Sequence, residues 1–192
     1  MDAERTALKE WAAAVDALAQ GAVITLVRKG GIRETRAGFV IRHDRFLLYP
    51  TYFHESNTGL APRFLQHLSR DSAPPASGVV HVTHVAQVAH VWHAAALGPL
   101  RLIEDEHPLA WSAVESRFHY RGKPGVQVVA LRVAKLPGPA DVPELPRYRG
   151  CVSWVEFGQD VDVAGAVPVV ADAEFSQRMA SIARHLESVA AS

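Results

Sequence analysis

The chain has 192 residues, with 20 Lys and Arg against 20 Asp and Glu, so its formal net charge is zero. Zero net charge excludes a protein whose whole surface is basic, as in proteins that coat nucleic acid. Hydrophobic residues make up 48% of the chain and no apolar run approaches the ~20 residues that span a bilayer, which excludes a disordered chain and a membrane protein.

The chain begins with a charged segment, MDAERTALKEW, which lacks the apolar stretch of a secretory signal. Cys151 is the only cysteine, so the fold cannot depend on an internal disulfide framework. Both features are typical of a cytoplasmic protein, and that is the expected location.

The first predicted element is an amphipathic helix over residues 4–18. Its apolar residues recur at spacings of three and four and therefore share one helix face: Leu8, Trp11, Val15 and Leu18. Gly21 follows at a position where helices commonly end. Residues 22–28 are short and rich in β-branched side chains, which predicts a buried strand.

Further strands are predicted over residues 45–49, 79–92, 126–135 and 152–157, and further helices over 60–68, 108–118 and 172–189. Residues 39–42 and 45–49 flank two polar residues, which indicates a hairpin. Residues 138–146 contain three prolines and are expected to be irregular. The last helix carries an apolar stripe that packs against the sheet or forms the seam of a homodimer: Phe175, Met179, Ile182, Leu186 and Val189.

These elements predict an α+β fold. The strands do not alternate regularly with long helices, which argues against a doubly wound parallel sheet. We expect one domain over residues 1–192, with a mixed, mostly antiparallel sheet or a small barrel, flanked by N- and C-terminal helices.

A candidate ligand site follows the strand at 22–28. Cations, glycines and one acid stand close together there: Arg28, Lys29, Gly30, Gly31, Arg33 and Glu34. Glycine lets backbone N–H groups approach an anion, and arginine can bind a phosphate through two parallel hydrogen bonds. The order of the residues is not that of a Walker loop. The alternative interpretation is a turn with solvated charges.

The charge around this segment is local. Between residues 20 and 45, six basic residues stand against two acidic ones, within a chain of zero net charge. A basic patch on a neutral protein is typical of a focused anion or nucleic-acid site.

A second candidate segment is Tyr49 to Glu55. Tyr49, Thr51 and His54 would present hydroxyl and imidazole groups beside the first segment, and neighbouring aromatic rings would stack on a base. His54 is also a candidate general base, oriented by Glu34 or Glu55. The alternative is that the aromatic side chains pack in the core.

Four histidines in the long predicted strand do not favour a metal site. The spacing of His81, His84, His90 and His93 spreads the rings over both faces and over a length that one ion cannot bridge. We expect no metal and no cofactor. Arg117 ends the predicted middle helix, and Arg132 interrupts an apolar strand, where it either lines a cleft or pairs with Glu115 or Glu156.

Several strings together resemble one protein family. They extend over residues 8–157 in the same order as in the family: LKEWAAAVDALAQG, LVRKGGIRE, FLLYPTYFHE, ESRFHY, ALRVAKLPGP and YRGCVSWVEF. The set resembles domain-of-unknown-function family 1802. Some members are linked to restriction-endonuclease-like domains, so the resemblance implies a context in DNA restriction or DNA transactions. The order of elements is also similar to RNA-binding barrels of the pseudouridine-synthase-associated type.

Together these observations predict a domain that binds phosphate or nucleic acid. The expected partners are DNA, RNA or a small phosphate-containing ligand. The alternative is a metal-dependent nuclease or a nucleotide-processing hydrolase that uses His54 and Glu34.

Overall fold

The computed structural model of the protein describes residues 2–29, 43–52, 57–67, 78–150 and 152–187. Within these ranges, seven strands form one sheet and four α-helices pack against it. The strands are β1 (Ala3–Trp11), β2 (Thr25–Arg28), β3 (Arg45–Thr51), β4 (Val79–Ala94), β5 (Val126–Pro143), β6 (Trp154–Asp162) and β7 (Val167–Pro168). The helices are α1 (Ala12–Ala19), α2 (Leu97–Arg101), α3 (Trp111–Phe118) and α4 (Asp172–Glu187).

The sheet is mixed and mostly antiparallel, which confirms the predicted fold class. Its strand order is β2-β5-β4-β3-β1-β6, and β7 pairs with β5. The β1–β3 pair is parallel and the remaining pairs are antiparallel. The described strands form an open path that begins at β2 and ends at β6, so the fold is a sheet and not a closed barrel.

The first half of the predicted N-terminal helix is a strand. Residues 3–11 form β1, and the helix begins at Ala12. The composition of residues 3–11 favours a helix, but β1 lies between β3 and β6 and bonds to both. Hydrogen bonding and burial on two sides therefore outweigh the local propensity.

The proline-rich segment is also more regular than predicted. β5 continues through it to Pro143, and the register with β4 shifts between Val82 and His84. Val82 lies opposite Ala140 and His84 opposite Lys135, so residues 136–139 form a bulge. Pro137 and Pro139 lie in that bulge, where no ladder hydrogen bond is needed.

The remaining predictions of elements agree in position. The long strand is β4, which has a second register shift between Val88 and His90. The helix predicted at 60–68 is a 3₁₀ segment, Pro62–His67, and residues 39–42 of the predicted hairpin lie outside the described residues. Four residues of the α4 stripe pack in the core, as predicted for packing against the sheet, and the homodimer stays a prediction: Phe175, Met179, Ile182 and Leu186.

The sheet curls so that its two ends approach each other. Arg28, at the end of β2, contacts Glu10 of β1 and Ser153, which immediately precedes β6. β2 and β6 are the two edges of the sheet. A core of apolar residues from β1, β2, β3, β5 and α1 fills the concave side between them. The gap between the two edges is where the charged side chains of the next section meet.

Candidate functional site

Three charged side chains meet at this gap. The guanidinium of Arg28 pairs with the Glu10 carboxylate, and its Nη2 donates to Ser153 Oγ at 2.6 Å. Arg117 donates from Nη1 to the carbonyl oxygen of Val27 at 2.6 Å. The side chains of Arg28 and Glu10 are only 12% and 6% exposed. Two arginines and one glutamate therefore form a largely buried group with a summed charge of +1, which we call the arginine cluster.

Each member of the arginine cluster lies at the end of an element. Glu10 is next to last in β1, Arg28 is the last residue of β2, and Arg117 lies in the last turn of α3. The Arg117–Val27 hydrogen bond ties the end of α3 to the end of β2. The ends of three rigid elements thus fix three side chains whose own stems are flexible.

The indole of Trp11 supports Arg117. The Arg117 guanidinium lies 5.3 Å from the centre of the Trp11 ring, in a cation–π contact. A Cβ at Gly59 would lie 2.6 Å from Trp11 Cη2. Only glycine fits at position 59 without moving the indole, so the ring is in close contact with the backbone of Gly59 as well as with the charge of Arg117.

In the arginine cluster the pKa of Glu10 and the pKa of Arg117 are both lowered, for different reasons. Burial alone raises the pKa of Glu10, but the charges of Arg28 and Arg117 outweigh it and hold that pKa below its usual range. Burial lowers the pKa of Arg117, Glu10 raises it, and Arg28 lowers it further. Glu10 is therefore ionised, and the two cations repel each other across it.

Lys29 stabilises the surroundings of the arginine cluster. Its Nζ donates to the carbonyl oxygens of Phe118, at 3.2 Å, and of Lys123 and Gly125. These carbonyls follow the end of α3, so Lys29 ties the α3–β5 connection to β2. Burial and the charge of Lys123 lower the pKa of Lys29. The three ammonium donors are already engaged by these carbonyls, and this indicates a structural contribution.

Among the predicted site residues, Arg28 and Arg117 converge, and Lys29 lies beside them. Five others lie outside the described residues: Gly30, Gly31, Arg33, Glu34 and His54. Their predicted roles, including the hydrolase alternative with His54 and Glu34, stay predictions.

Tyr49 and Thr51 of β3 are placed differently from the arginine cluster. Tyr49 is buried, and its hydroxyl donates to Glu144 Oε1 at 3.0 Å. Burial and Glu144 raise the pKa of Tyr49. The Tyr49 ring packs with Phe157 and Tyr148 in a core on the opposite face of β3 from Leu48. Thr51 lies beside Trp11 in the parallel β1–β3 register, at the edge of the region that holds Arg117.

Arg132 does not join the arginine cluster. Its Nη1 donates to Asp172 Oδ1 at 2.5 Å, and its guanidinium lies 4.1 Å from the centre of the Phe175 ring. Both partners belong to α4, so Arg132 links β5 to α4. The expected pairing is present, but the partner is neither Glu115 nor Glu156.

Three of the four histidines of β4 have separate partners. His81 contacts Asp141 at 2.7 Å, His84 contacts the Thr83 hydroxyl at 2.8 Å, and His90 lies against the Trp92 ring at 4.4 Å between centres. Within the described ranges, no three His, Cys, Asp or Glu side chains are grouped so as to hold a metal ion. No helix in the same ranges is long and apolar enough to cross a membrane.

Three members of the site were missed in the sequence. The sequence predicts a helix at Glu10 and Trp11, whereas the structure places both residues at the end of β1. Their positions at the end of a strand give them their contacts with Arg28 and Arg117. Ser153 lies within the string YRGCVSWVEF, which contains no chemical signal for a contact with Arg28. In a strand Glu10 lies on the same side as the buried Leu8, but residues 6–10 have no apolar–polar alternation that would have revealed it.

The family assignment comes from the sequence itself. The model of the family described as "domain of unknown function (DUF1802)" matches residues 7–181, which is most of the chain. The chain belongs to this family. No curated protein matches the sequence.

Two solved structures are similar in fold to this member of DUF1802, at low identity. The crystal structure of ASCH from Zymomonas mobilis shares 12% identity, with 92% of this chain and 93% of that chain covered and a TM-score of 0.44. A serine-to-alanine mutant of the same protein shares 14% identity, with coverage of 94% and 97% and a TM-score of 0.42. Likeness at this level carries no information about activity.

Proposed function

We propose that this domain binds nucleic acid through its phosphates, with Arg28 and Arg117 as the phosphate contacts. The observation that carries the proposal is the charge of the arginine cluster. Burying a charge without a partner is costly, and among the described residues Arg117 shares the one carboxylate of Glu10 with Arg28. An anion that enters the gap between β2 and β6 would neutralise the remaining positive charge.

The donors of Arg117 also support an anionic ligand. A guanidinium carries five N–H donors. Within the described part of the chain, Arg117 makes one hydrogen bond, to Val27, and one ring contact, with Trp11. The remaining donors form the planar fork that binds two oxygens of a phosphate together.

Nucleic acid is favoured over an isolated phosphate because of the charge of the arginine cluster. Its sum of +1 matches one phosphodiester, which carries a single negative charge, whereas a terminal phosphate carries nearly two. We place the domain in DNA transactions such as restriction, the context implied by the family resemblance.

Fluorescence anisotropy with labelled single-stranded DNA, duplex DNA and RNA tests this function. We expect binding that weakens steeply with salt, since each phosphate contact releases counterions. Arg117→Gln should weaken binding about tenfold and lower the salt slope by about one.

Arg132→Gln is the matched control. Arg132 also contacts an aromatic ring, but it lies on β5 and faces α4 instead of the gap. It should bind like the wild type. Absence of binding at low salt to all three nucleic acids, or equal losses for the two variants, would contradict the proposal.

A further inference from the structure

The connection between α3 and β5 is an exposed basic turn. Residues 116–125 contain Arg117, Arg121 and Lys123 and no acidic residue. Arg121 and Lys123 are exposed, and none of the ion pairs between described residues includes either of them. The turn therefore adds two positive charges to those of the arginine cluster.

The contacts of Lys29 hold this turn beside the arginine cluster. Arg117 lies in the last turn of α3, and Tyr120 follows it closely in the chain. Lys29 is the neighbour of Arg28 and donates to the carbonyl oxygen of Lys123, which fixes the far end of the turn. Burial and the charge of Lys123 lower the pKa of Lys29, so the two ammonium groups lie near each other. The turn and the arginine cluster are therefore neighbouring parts of one basic region.

The backbone at position 121 favours glycine over arginine. The φ angle of Arg121 is 57°, in the left-handed region that is costly for a residue with a Cβ. Gly122 follows with a φ of 66°, a conformation that glycine adopts without this cost. The local fold therefore does not explain an arginine at position 121. A strained residue that gives the described fold no ion pair is typical of a functional position.

An exposed aromatic ring lies beside this guanidinium. Tyr120 is 39% exposed, and the Arg121 guanidinium lies 5.3 Å from the centre of its ring. An exposed ring can stack on any nucleobase, and a neighbouring arginine adds a cation–π contact or a phosphate contact. Such stacking requires a single strand, because the bases of a duplex are already stacked on one another.

We propose that this turn, residues 119–125, is a second contact for the nucleic acid and selects a single strand. Tyr120 stacks on a base, and Arg121 and Lys123 bind phosphates. The inference rests on the proposed function, since the strand reaches the turn from the arginine cluster.

Fluorescence anisotropy with a labelled twenty-nucleotide DNA strand, alone and as a duplex, tests the contribution of the ring. Tyr120→Ala should weaken single-strand binding at least about fivefold, because base stacking is lost, and should leave duplex binding within about twofold of the wild type. Tyr120→Phe keeps the ring and should bind the single strand like the wild type.

A second variant separates binding from folding at position 121. Arg121→Gly removes both the charge and the backbone strain. We therefore expect a higher Tm together with about threefold to tenfold weaker single-strand binding and a salt slope lower by about one. Lys135→Gln is the matched control, since Lys135 is an exposed cation of β5 that lies opposite His84, far along the strand from the turn. It should change neither the Tm nor the affinity.

NMR of the ¹⁵N-labelled wild type tests the contact without any variant. The single strand should shift the amides between residues 119 and 125, and a hexaglutamate peptide at equal concentration should shift them less. Absence of these shifts with the single strand, or larger shifts with the peptide, would overturn the inference. The second result would assign the turn to an acidic protein partner.

The variants also distinguish this inference from the proposed function. Binding that is weakened by Arg117→Gln but unchanged by Tyr120→Ala and Arg121→Gly would overturn the second contact and keep the proposed function. Equal losses of single-strand and duplex binding for Tyr120→Ala would overturn the selection of a single strand. Absence of binding to any nucleic acid would overturn both.

Discussion

Two sites in the described part of the chain hold largely buried arginines, and they differ in how completely that charge is compensated. Arg178 of α4 donates to both carboxylate oxygens of Glu106 and to the carbonyls of Gly21 and Ala22, and it lies 3.5 Å from Glu174. One cation thus has two carboxylates. In the arginine cluster, two cations share the Glu10 carboxylate.

The difference separates a structural arginine from a candidate binding arginine. The Arg178 side chain is 16% exposed and that of Arg28 is 12% exposed, so burial does not distinguish them. What distinguishes them, within the described residues, is the number of carboxylates for each cation and the unused donors of Arg117. A buried guanidinium with every donor engaged stabilises the fold, whereas one with donors to spare can bind an anion.

Replacing Arg178 should have the largest effect on stability. Arg178→Met leaves the Glu106 carboxylate and two carbonyls without their partner, so we expect the free energy of unfolding to fall by about 3–5 kcal/mol. Urea denaturation measures this. Arg184→Met, on the exposed side of the same helix, should cost less than about 0.5 kcal/mol. A small loss of stability for Arg178→Met would show that the contacts of Arg178 do not stabilise the fold.

The second-largest effect is expected in the pH dependence of stability. His107 is fully buried, and burial, together with the charge of Arg63, lowers its pKa to about 4. The native ring therefore stays neutral while the unfolded chain gains a proton below about pH 6.5. Stability is then fully present above pH 6.5 and falls as the pH drops toward 4, by up to about 3 kcal/mol.

His107 directly follows Glu106, the partner of Arg178, and the charge of Arg117 also lowers the pKa of His107. His107 therefore connects the Arg178 site with the arginine cluster. His107→Gln removes the titrating group and should flatten the curve between pH 6.5 and 4 in thermal or urea denaturation. Identical slopes for wild type and variant would assign the acid sensitivity to other groups.

Removing Glu10 sharpens the comparison at the other site. Glu10→Gln raises the summed charge of the arginine cluster to +2, so we expect nucleic acid to bind about tenfold tighter, a change of about 1.4 kcal/mol. The same variant should lose stability, because two guanidinium groups remain without a carboxylate. Anisotropy at fixed salt measures the first effect, and weaker binding would contradict the assignment of Arg28 and Arg117 as phosphate contacts.

The smallest effect is expected where an arginine is paired at the surface. Asp172 is 87% exposed, so Asp172→Asn should change the free energy of unfolding by less than about 0.5 kcal/mol despite its contact with Arg132. Nucleic-acid affinity should not change. A loss similar to that of Arg178→Met would show that the exposure of an ion pair does not predict its contribution to the free energy of unfolding.

The sequence predicted those parts of the fold whose local pattern agrees with their tertiary surroundings. β4 and α4 have strong periodicity and buried faces, and both were found where predicted. The pattern failed at β1, because the propensity of residues 3–11 favours a helix and only the pairing with β3 and β6 makes them a strand.

The site was predicted in part for the same reason. Arg28 and Arg117 stood out as cations next to apolar segments, and both belong to the arginine cluster. Their meeting with Glu10 depends on the curl of the sheet, which joins residues distant in the chain, so no local motif contains it. Arg132 shows the converse. A charge in an apolar strand predicts a pairing partner, and the structure provides one in Asp172 of α4.

The position of β1 between β3 and β6 also sets an order of assembly during synthesis. Leu8 pairs with Trp154, so β1 obtains its second neighbour only when most of the chain has been made. The ribosome releases the N-terminus first, and its composition favours a helix until then. β1 and β6 therefore have to pair before Ser153 joins Glu10 and Arg28, and a nascent chain that stops before β6 lacks the second neighbour of the strand that carries Glu10.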